Sequence, residues 1–291
     1  MDRRLSTWLQ LREPADAHAR AERLTLVVAG TLPVDEIVHV LDLGTGTGSN
    51  VRYLAPHLPR RQHWLAIDRD PAVLSLLPGM MSSWGAARFD KVETTGIECA
   101  IRGDLLECRV ETRCLNLAGL DGPDIFAGRH LVTASALLDL VSEKWLRTLA
   151  ARCRHVGATA LFTITYNGWS SCSPEEPEDE MIRHLLNRHQ MSDKGLGGLA
   201  AGPDAARIAA RCFEDAGYRV WTAPSDWRLG SDRPEMQRCL IDGWATAATE
   251  LVPDEAAGIA GWRDRRIGHV DAGRSQIVVG HLDVAAHPPL D

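Results

Sequence analysis

The stretch Val40-Leu-Asp-Leu-Gly-Thr-Gly-Thr-Gly48 places an apolar run directly before three alternating glycines. Short, continuous apolar runs of this kind are typical of strands buried on both faces of a parallel sheet. Glycine tolerates positive φ and lets the backbone approach a ligand closely, because it has no Cβ. The stretch therefore predicts a strand that delivers a glycine-rich turn to a ligand at the edge of an α/β sheet.

A second apolar run, Trp64–Ile67, ends on Asp68. A carboxylate at the tip of the neighbouring strand can accept hydrogen bonds from both hydroxyls of a ribose. A helix-cap or turn role is the alternative for Asp68, but Asp70 followed by Pro71 already supplies the cap and first-turn signals of the next helix. The two runs together predict a ligand that carries adenosine.

Strands and helices keep alternating along the chain, which predicts one α/β core with additions. The expected fold is a doubly wound, mostly parallel, seven-stranded Rossmann-like sheet with a helical lid and insertion. A helix is expected to begin at Pro14 and Asp16 and to end near Gly30. We expect an N-terminal helical cap over 1–36 and a domain over 37–291, with a lid over 167–202 and a helical insertion over 234–269. The predicted strands are 37–43, 63–68, 107–113, 130–134, 158–166, 218–223 and 275–285.

Composition excludes several classes of protein. The formal charge is -7, from 32 Lys and Arg against 39 Asp and Glu, and no stretch is basic enough to follow phosphates, so nucleic acid is not an expected partner. No apolar run is long enough for a signal peptide or a membrane span, so we expect a cytoplasmic protein without a membrane partner. The seven cysteines include no C-x-x-C pair, which argues against disulfides and zinc.

Two further polar features receive no function from the sequence. His184 and His189 are five residues apart on a predicted helix and do not share a face, so no metal site is predicted. The acidic stretch over 174–180 is expected to be a solvated loop.

The glycine spacing separates two kinds of nucleotide site. Dinucleotide-binding folds use G-x-G-x-x-G, whereas Gly44, Gly46 and Gly48 alternate and follow Asp42. This D-x-G-x-G-x-G pattern resembles the signature of class I S-adenosylmethionine-dependent methyltransferases, over roughly 38–166 in motif order. The resemblance implies S-adenosylmethionine as the cofactor and methyl transfer to a small-molecule acceptor, on oxygen or nitrogen.

The resemblance also implies roles for individual residues. Asp42 would orient the glycine loop and meet the ammonium of the cofactor, and Asp68 would hold the ribose. Asn116 stands where the family usually has an Asp beside the adenine amino group, although a plain turn role is the alternative. The implied cofactor-binding residues are Asp42, Gly44, Thr45, Gly46, Gly48, Asp68, Arg69, Asn116, Leu117, Ser135 and Arg12.

Arg12 has two interpretations. The resemblance places it in an N-terminal helix that covers the cofactor, where it would pair with the methionyl carboxylate. The residues themselves favour a surface ladder of Arg12, Asp16 and Arg20 at helical spacing.

The acceptor side carries no decisive motif. The sequence Thr133-Ala-Ser-Ala-Leu-Leu-Asp139 lacks the D/N-P-P-Y pattern of related enzymes that methylate exocyclic or amide nitrogens, so nucleobases and glutamine side chains are disfavoured. Methyl transfer needs a general base only where the acceptor carries a proton. Tyr166, His184, His189 and Asp193 lie where an acceptor would bind, although a structural role is the alternative for each. Ser135 and Asp139 would orient the substrate, although Asp139 also simply precedes a helix cap at Ser142. The candidate catalytic residues are Asp139, Tyr166 and His189.

Two other functions stay open at this point. An NAD(P)- or flavin-dependent oxidoreductase would also use Asp68 on a ribose, but the glycine spacing argues against it. A non-catalytic, methyltransferase-like partner subunit is compatible with every motif. The sequence predicts neither the acceptor nor the oligomeric state.

Overall fold

One sheet organises the computed structural model, which describes residues 3–89, 91–120 and 125–289. Ten strands are present within those ranges, and their order across the sheet is β3-β4-β5-β2-β1-β6-β7-β10-β8, with β9 pairing with β10. The strands are β1 (Val38–Leu43), β2 (Arg61–Asp68), β3 (Lys91–Thr94), β4 (Glu98–Arg102), β5 (Glu107–Cys114), β6 (Leu131–Ser135), β7 (Thr159–Ser173), β8 (Arg219–Pro224), β9 (Trp227–Leu229) and β10 (Gln276–His287).

The sheet is doubly wound and mostly parallel, as predicted. The chain passes from β1 through β2 to β5 on one side, and then returns to the other side of β1 with β6 and β7. Of the ten described strands, β4 and β10 run against the rest. All seven predicted strands are present, and β3, β4 and β9 add to them. The reversal between β1 and β6 is a topological switch point, where open α/β sheets bind ligands.

Helices cover both faces of the sheet. Alternate residues of a strand point to opposite faces, so Val40 of β1 packs with α2, α3 and α5, whereas Leu41 packs with α6 and α8. The helices are α1 (Arg3–Ala19), α2 (Glu22–Ala29), α3 (Ser49–Leu54), α4 (Pro71–Leu74), α5 (Leu77–Ala86), α6 (Glu143–Val156), α7 (Asp179–Gln190), α8 (Ala205–Asp215), α9 (Pro234–Leu251) and α10 (Ala256–Asp271).

Local capping signals predicted the helix boundaries correctly in two places. The Asp70 carboxylate accepts the backbone N–H of Ala72 at 2.8 Å at the start of α4. The Ser142 hydroxyl accepts the N–H of Trp145 at 3.2 Å at the start of α6, and Gly157 ends that helix with φ +68°. Each cap satisfies backbone groups that have no partner inside the helix.

The segment predicted as the start of the lid is a strand instead. β7 continues to Ser173, and residues 170–173 pair with residues 276–279 of β10. The predicted strand over 158–166 is therefore too short, because the pairing partner of 170–173 lies a hundred residues further along the chain and leaves no local signal. The helix α7 and the segment up to residue 202 follow this strand.

Residues 174–178 form a loop, as predicted, but the acidic stretch is only partly solvated. Glu176 accepts hydrogen bonds from Arg265 Nε and from His269 Nε2, both at 2.7 Å. Asp179 forms a two-pronged pair with Arg266, whose side chain is fully buried. The stretch is therefore attached to α10 by ion pairs, and the prediction of solvation is corrected.

The N-terminal helix begins before the predicted start. α1 runs through Pro14, although proline removes one backbone donor from a helix interior. Trp8, Leu11 and Ala15 pack against the cluster that contains Trp227, and this tertiary contact stabilises the helix across the proline.

The predicted division into a cap over 1–36 and a domain over 37–291 remains a prediction, and its outer limits lie outside the described residues. None of the helices that the structure describes has both the length and the apolar character needed to cross a membrane.

Candidate functional site

The glycine loop, residues 44–48, leaves the carboxyl end of β1 at the switch point. Gly44, Gly46 and Gly48 have φ of +67°, +56° and +84°, in the left-handed region that favours glycine. The N–H of Gly46 donates to Asp68 Oδ2 at 2.9 Å, and the N–H of Asp70 donates to Asp68 Oδ1 at 3.0 Å. The Asp68 carboxylate therefore fixes the loop against the end of β2.

Asp42 holds the glycine loop and the start of α3 together through hydrogen bonds. Its carboxylate is fully buried and accepts hydrogen bonds from Thr45 Oγ1 and Asn50 Nδ2, each at 2.6 Å. Burial raises the pKa of Asp42 to about 6, although both hydrogen bonds and the charge of Arg20 oppose the rise. Both carboxylate oxygens have donors, so Asp42 acts on the loop conformation.

Arg20 is a site residue whose position the sequence did not reveal. It is buried, with Nη1 donating to Asn50 Oδ1 at 2.6 Å and Nη2 donating to Ser135 Oγ at 3.1 Å. Its guanidinium lies over the ring of Tyr53, 4.4 Å from the centroid. The surface ladder is therefore wrong for Arg20, because helical spacing shows which residues share a face but not whether that face is buried.

No carboxylate among the described residues forms an ion pair with Arg20, and its Nε has no hydrogen-bond partner there. Burial lowers the pKa of Arg20, with the more distant Asp16 and Asp283 opposing the shift. A buried cation without a directly paired carboxylate is unfavourable, and a bound anion would relieve that cost. The end of the crevice beside Ser135 is therefore suited to a carboxylate.

A crevice of about 140 Å³ surrounds the glycine loop beneath α1. The side chain of Leu9 lies directly over the loop, since a Cβ on Gly46 would be 3.4 Å from Leu9 Cδ1. The volume is below the roughly 300–1,000 Å³ of small-molecule sites, so we expect α1 to shift when a nucleoside-sized ligand enters. The crevice is lined by Leu5, Leu9, Arg12, Asp16, Gly44, Thr45, Gly46, Thr47, Ser49, Asn50, Asp68, Val73, Ser135 and Ala136.

Three predicted cofactor residues, Asn116, Leu117 and Arg69, are not among the residues that line the crevice. Asn116 is exposed and its Oδ1 accepts the N–H of Ala118 at 2.9 Å, which is the turn geometry of the alternative interpretation. Leu117 is buried in the core between β2 and α6. Arg69 is exposed and reaches the carbonyl oxygen of Lys194 at 3.4 Å.

Arg12 is already paired. Its guanidinium donates to both oxygens of Asp16, at 2.9 and 3.3 Å, and lies 5.2 Å from the ring centroid of Trp227. The indole Nε1 of Trp227 donates to Asp16 Oδ1 at 2.9 Å. The predicted Arg12 and Asp16 pair is present, but Asp16 is buried rather than on the surface.

Asp139 is the catalytic candidate with the most distinctive surroundings. It lies in a single 3₁₀ turn, Leu138–Leu140, after β6, and is 7% exposed. No side chain among the described residues donates to its carboxylate. Burial raises the pKa of Asp139 to about 6, although a hydrogen bond from its own backbone N–H and the charges of Arg12 and Lys194 lower it. A buried carboxyl without a side-chain partner at a switch point is a typical functional group.

The other two candidates have structural partners. The Tyr166 hydroxyl donates to Asn187 Oδ1 at 2.8 Å, and burial raises its pKa, so it stays protonated. His189 Nε2 lies 3.0 Å from Glu250 Oε2, which ties α7 to α9 away from the crevice lining.

The backbone beside the crevice is strained. Ala136 and Ile164 have φ of +51° and +55°, which is exceptional for the β-branched Ile164. The N–H of Ile164 donates to Asp283 Oδ1 at 2.7 Å. Ile164 lies where the pairing of β7 with β10 is interrupted by a β-bulge. Such strain concentrates at functional sites, where surrounding contacts hold it.

No motif in the sequence distinguishes His281, because it lies within an ordinary strand pattern. It is 4% exposed, and its ring centroid is 4.6 Å from that of Trp227. Its Nδ1 has no hydrogen-bond partner among the described residues. Burial lowers the pKa of His281 to about 3, so the imidazole is neutral in the folded protein.

His281 makes stability depend on pH. Below about pH 6.5 this histidine is protonated in the unfolded chain but stays neutral in the folded protein. The free energy of unfolding therefore falls as the pH falls towards 3. We expect His281→Phe to reduce the loss of unfolding free energy between about pH 8 and pH 5 by about 2 kcal/mol. Urea unfolding at the two pH values measures this. Equal losses in the two proteins would show that His281 titrates normally when folded.

Neither a protein-family model nor a curated protein sequence matches the chain. The [4+2]-cyclase SpnF is similar in structure, with 17% identity and a TM-score of 0.41, over 93% of this chain and 82% of that one. A putative sarcosine dimethylglycine methyltransferase from Galdieria sulphuraria has 13% identity and a TM-score of 0.43, over 91% and 84%.

The geranyl diphosphate C-methyltransferase from Streptomyces coelicolor A3(2) has 15% identity and a TM-score of 0.44, over 92% of this chain and 77% of that one. At such identities and TM-scores, the function has to be derived from this chain's own residues.

Proposed function

We propose that the protein is an S-adenosylmethionine-dependent methyltransferase that acts on a small-molecule acceptor. The observation that carries the proposal is the polarity of the crevice at the switch point. The buried Arg20 guanidinium, which forms no direct ion pair, lies behind Ser135 and Asn50 at one end of the lining. The Asp68 carboxylate lies at the other end, and the glycine loop joins them. This order matches a ligand with a carboxylate at one end and ribose hydroxyls at the other.

The residues present fit such a cofactor. Arg20, beside Ser135 and Asn50, would hold the methionyl carboxylate, because a buried cation favours an anion. Asp68 would accept hydrogen bonds from the ribose, and Leu117 would flank the adenine. When bound, the cofactor supplies a methyl group on a positively charged sulfur.

The protein's own contribution is alignment and exclusion of water. Methyl transfer is an in-line displacement, which gains most from holding the two reacting atoms in contact. The helix α1 lies over the crevice through Leu5 and Leu9, and would shield the reacting atoms from solvent when it closes over the ligand.

Calorimetric titration with three ligands tests the proposal. We expect S-adenosylmethionine and S-adenosylhomocysteine to bind and NAD to produce no heat, because the site offers one carboxylate pocket and no cradle for a pyrophosphate. Binding of NAD alone would replace the proposal with an oxidoreductase. Binding of none of the three would favour a non-catalytic subunit.

Two substitutions test the ends of the crevice. We expect Arg20→Met to weaken S-adenosylhomocysteine binding by about thirtyfold, roughly 2 kcal/mol, and Asp68→Ala to weaken it at least tenfold, about 1.4 kcal/mol. Arg23→Met, on the exposed side of α2, is the matched control and should bind normally. Normal affinity in Arg20→Met, with a loss in Arg12→Met, would move the carboxylate to Arg12.

A further inference from the structure

A group of aromatic rings lies against Arg12 and Asp16, two residues of the crevice lining. Trp8 and Trp227 meet edge to face with centroids 6.0 Å apart, and Trp227 also contacts His281. Tyr166 meets the edge of His281 at 6.3 Å. We call this group the tryptophan cluster, and it consists of Trp8, Tyr166, Trp227 and His281.

Two residues of the crevice lining contact the tryptophan cluster, and a third packs against the larger apolar group that contains Trp227. Arg12 lies over the indole of Trp227, Asp16 accepts its N–H, and Ala136 packs against the same apolar group. Since Ala136 follows Ser135 directly at the end of β6, a molecule on Trp227 would adjoin the ligand in the crevice. This is the place for an acceptor under the proposed function.

In this conformation a cation already occupies the face of Trp227. Indole is the aromatic ring that attracts cations best, and the Arg12 guanidinium is held there by Asp16. Both charged residues lie on α1, which also carries the Leu9 side chain over Gly46. A shift of α1 that admits the cofactor therefore moves Arg12 and exposes the indole face to another cation.

Asp139 then lacks a positive neighbour. Asp139 lies three residues after Ala136 of the crevice lining and is 7% exposed, and no side chain among the described residues donates to its carboxylate. Arg12 and Lys194 are the cations whose charge lowers its pKa. Lys194 is held elsewhere, because its Nζ donates to the carbonyl oxygen of His189 at 2.9 Å. When Arg12 moves, an unpaired buried carboxylate remains, and a bound ammonium group would neutralise it.

On the basis of the proposed function, we propose that the acceptor is an amine, which binds as its cation on Trp227 in the place of Arg12 and gives a proton to Asp139. The ammonium nitrogen gives a proton to the Asp139 carboxylate. The lone pair that this frees on nitrogen forms the bond to the methyl carbon. The carbon–sulfur bond breaks, and its electron pair stays on sulfur as a neutral thioether. His281 is neutral and does not repel the cation.

A matched pair of probes tests the charge preference without turnover. Choline and its uncharged isostere 3,3-dimethylbutan-1-ol are titrated calorimetrically into protein saturated with S-adenosylhomocysteine. We expect choline to bind at least tenfold more tightly, and Arg12→Ala to bind it more tightly than the unmodified protein does. Equal binding of the two probes, or no binding of choline, overturns the proposal.

Substitutions of Trp227 test whether its indole ring causes the preference for choline over the uncharged probe. We expect Trp227→Leu to abolish the preference for choline, and Trp227→Phe, which keeps an aromatic ring, to retain part of it. A preference that survives in both variants overturns the assignment to Trp227. If S-adenosylhomocysteine itself does not bind, the proposed function is contradicted. The three-ligand titration described above shows this separately from the choline result.

Turnover tests the role of Asp139. A panel of primary and secondary amines is compared with alcohols of the same carbon skeletons. We expect methylation of amines only, and a loss of at least 100-fold in kcat/KM for Asp139→Asn, while Asp254→Asn, on an exposed turn, stays active. Preferred methylation of alcohols, or full activity of Asp139→Asn, overturns the proposal. Where nothing in the panel reacts, the choline titration decides.

Discussion

Replacing Arg266 by methionine is expected to lower the free energy of unfolding by about 3 kcal/mol. Arg266 is fully buried, donates to both carboxylate oxygens of Asp179, and donates through Nη1 to the carbonyl oxygen of Pro174 at 2.5 Å. Removing one partner of a buried pair leaves the other charge uncompensated. We expect a loss at the lower end of the range for buried ion pairs, because the Asp179 side chain is 22% exposed and still accepts a hydrogen bond from Trp262 Nε1 in the variant.

Urea unfolding measures this loss, with Arg263→Met as the matched control. Arg263 lies on the same helix and pairs with Asp242, but both side chains are about half exposed. Exposed pairs contribute less than about 1 kcal/mol, so the control should change stability little. Similar losses in the two variants would show that burial does not distinguish the two pairs.

Replacing Asp139 by asparagine is expected to raise the free energy of unfolding by about 3 kcal/mol at neutral pH. The folded pKa of Asp139 is about 6 against 3.8 for the free side chain, so ionised Asp139 destabilises the folded state. The penalty is absent below pH 3.8, grows as the pH rises to about 6, and is fully present above that. Asparagine has nearly the same shape and carries no charge.

Unfolding at about pH 7.5 and pH 4 separates this effect from a change in packing. The gain from Asp139→Asn should be largest at the higher pH and nearly vanish at the lower one. A gain independent of pH would mean that asparagine simply packs better. A residue whose removal stabilises the fold while abolishing activity is what a site held for chemistry predicts.

The sequence predicted those parts of the fold that local chemistry determines. The glycines at 44, 46 and 48 need positive φ, Asp70 and Ser142 satisfy the first N–H groups of their helices, and Gly157 ends α6. Each of these features depends on a few neighbouring residues. The doubly wound sheet followed from the alternation of apolar runs with helical patterns.

The sequence failed where a distant residue decides the structure. The polar run 167–173 becomes a strand because β10 pairs with it, and α1 continues through Pro14 because Trp227 packs on it. The candidate site shows the same division. Asp68 was placed at the glycine loop from its position after a strand, whereas Arg20 and His281 reach the site through contacts with residues far away in the chain.

The position of β10 within the sheet has a consequence for synthesis on the ribosome. β10 follows the other nine described strands in the chain, yet it is the only described strand that pairs with β8 or β9. A nascent chain can assemble β1 to β7 early, but β8 and β9 stay without a hydrogen-bonded neighbour until β10 emerges. Unpaired strands are prone to aggregation, so the interval between the synthesis of β8 and that of β10 is when this chain most needs chaperones.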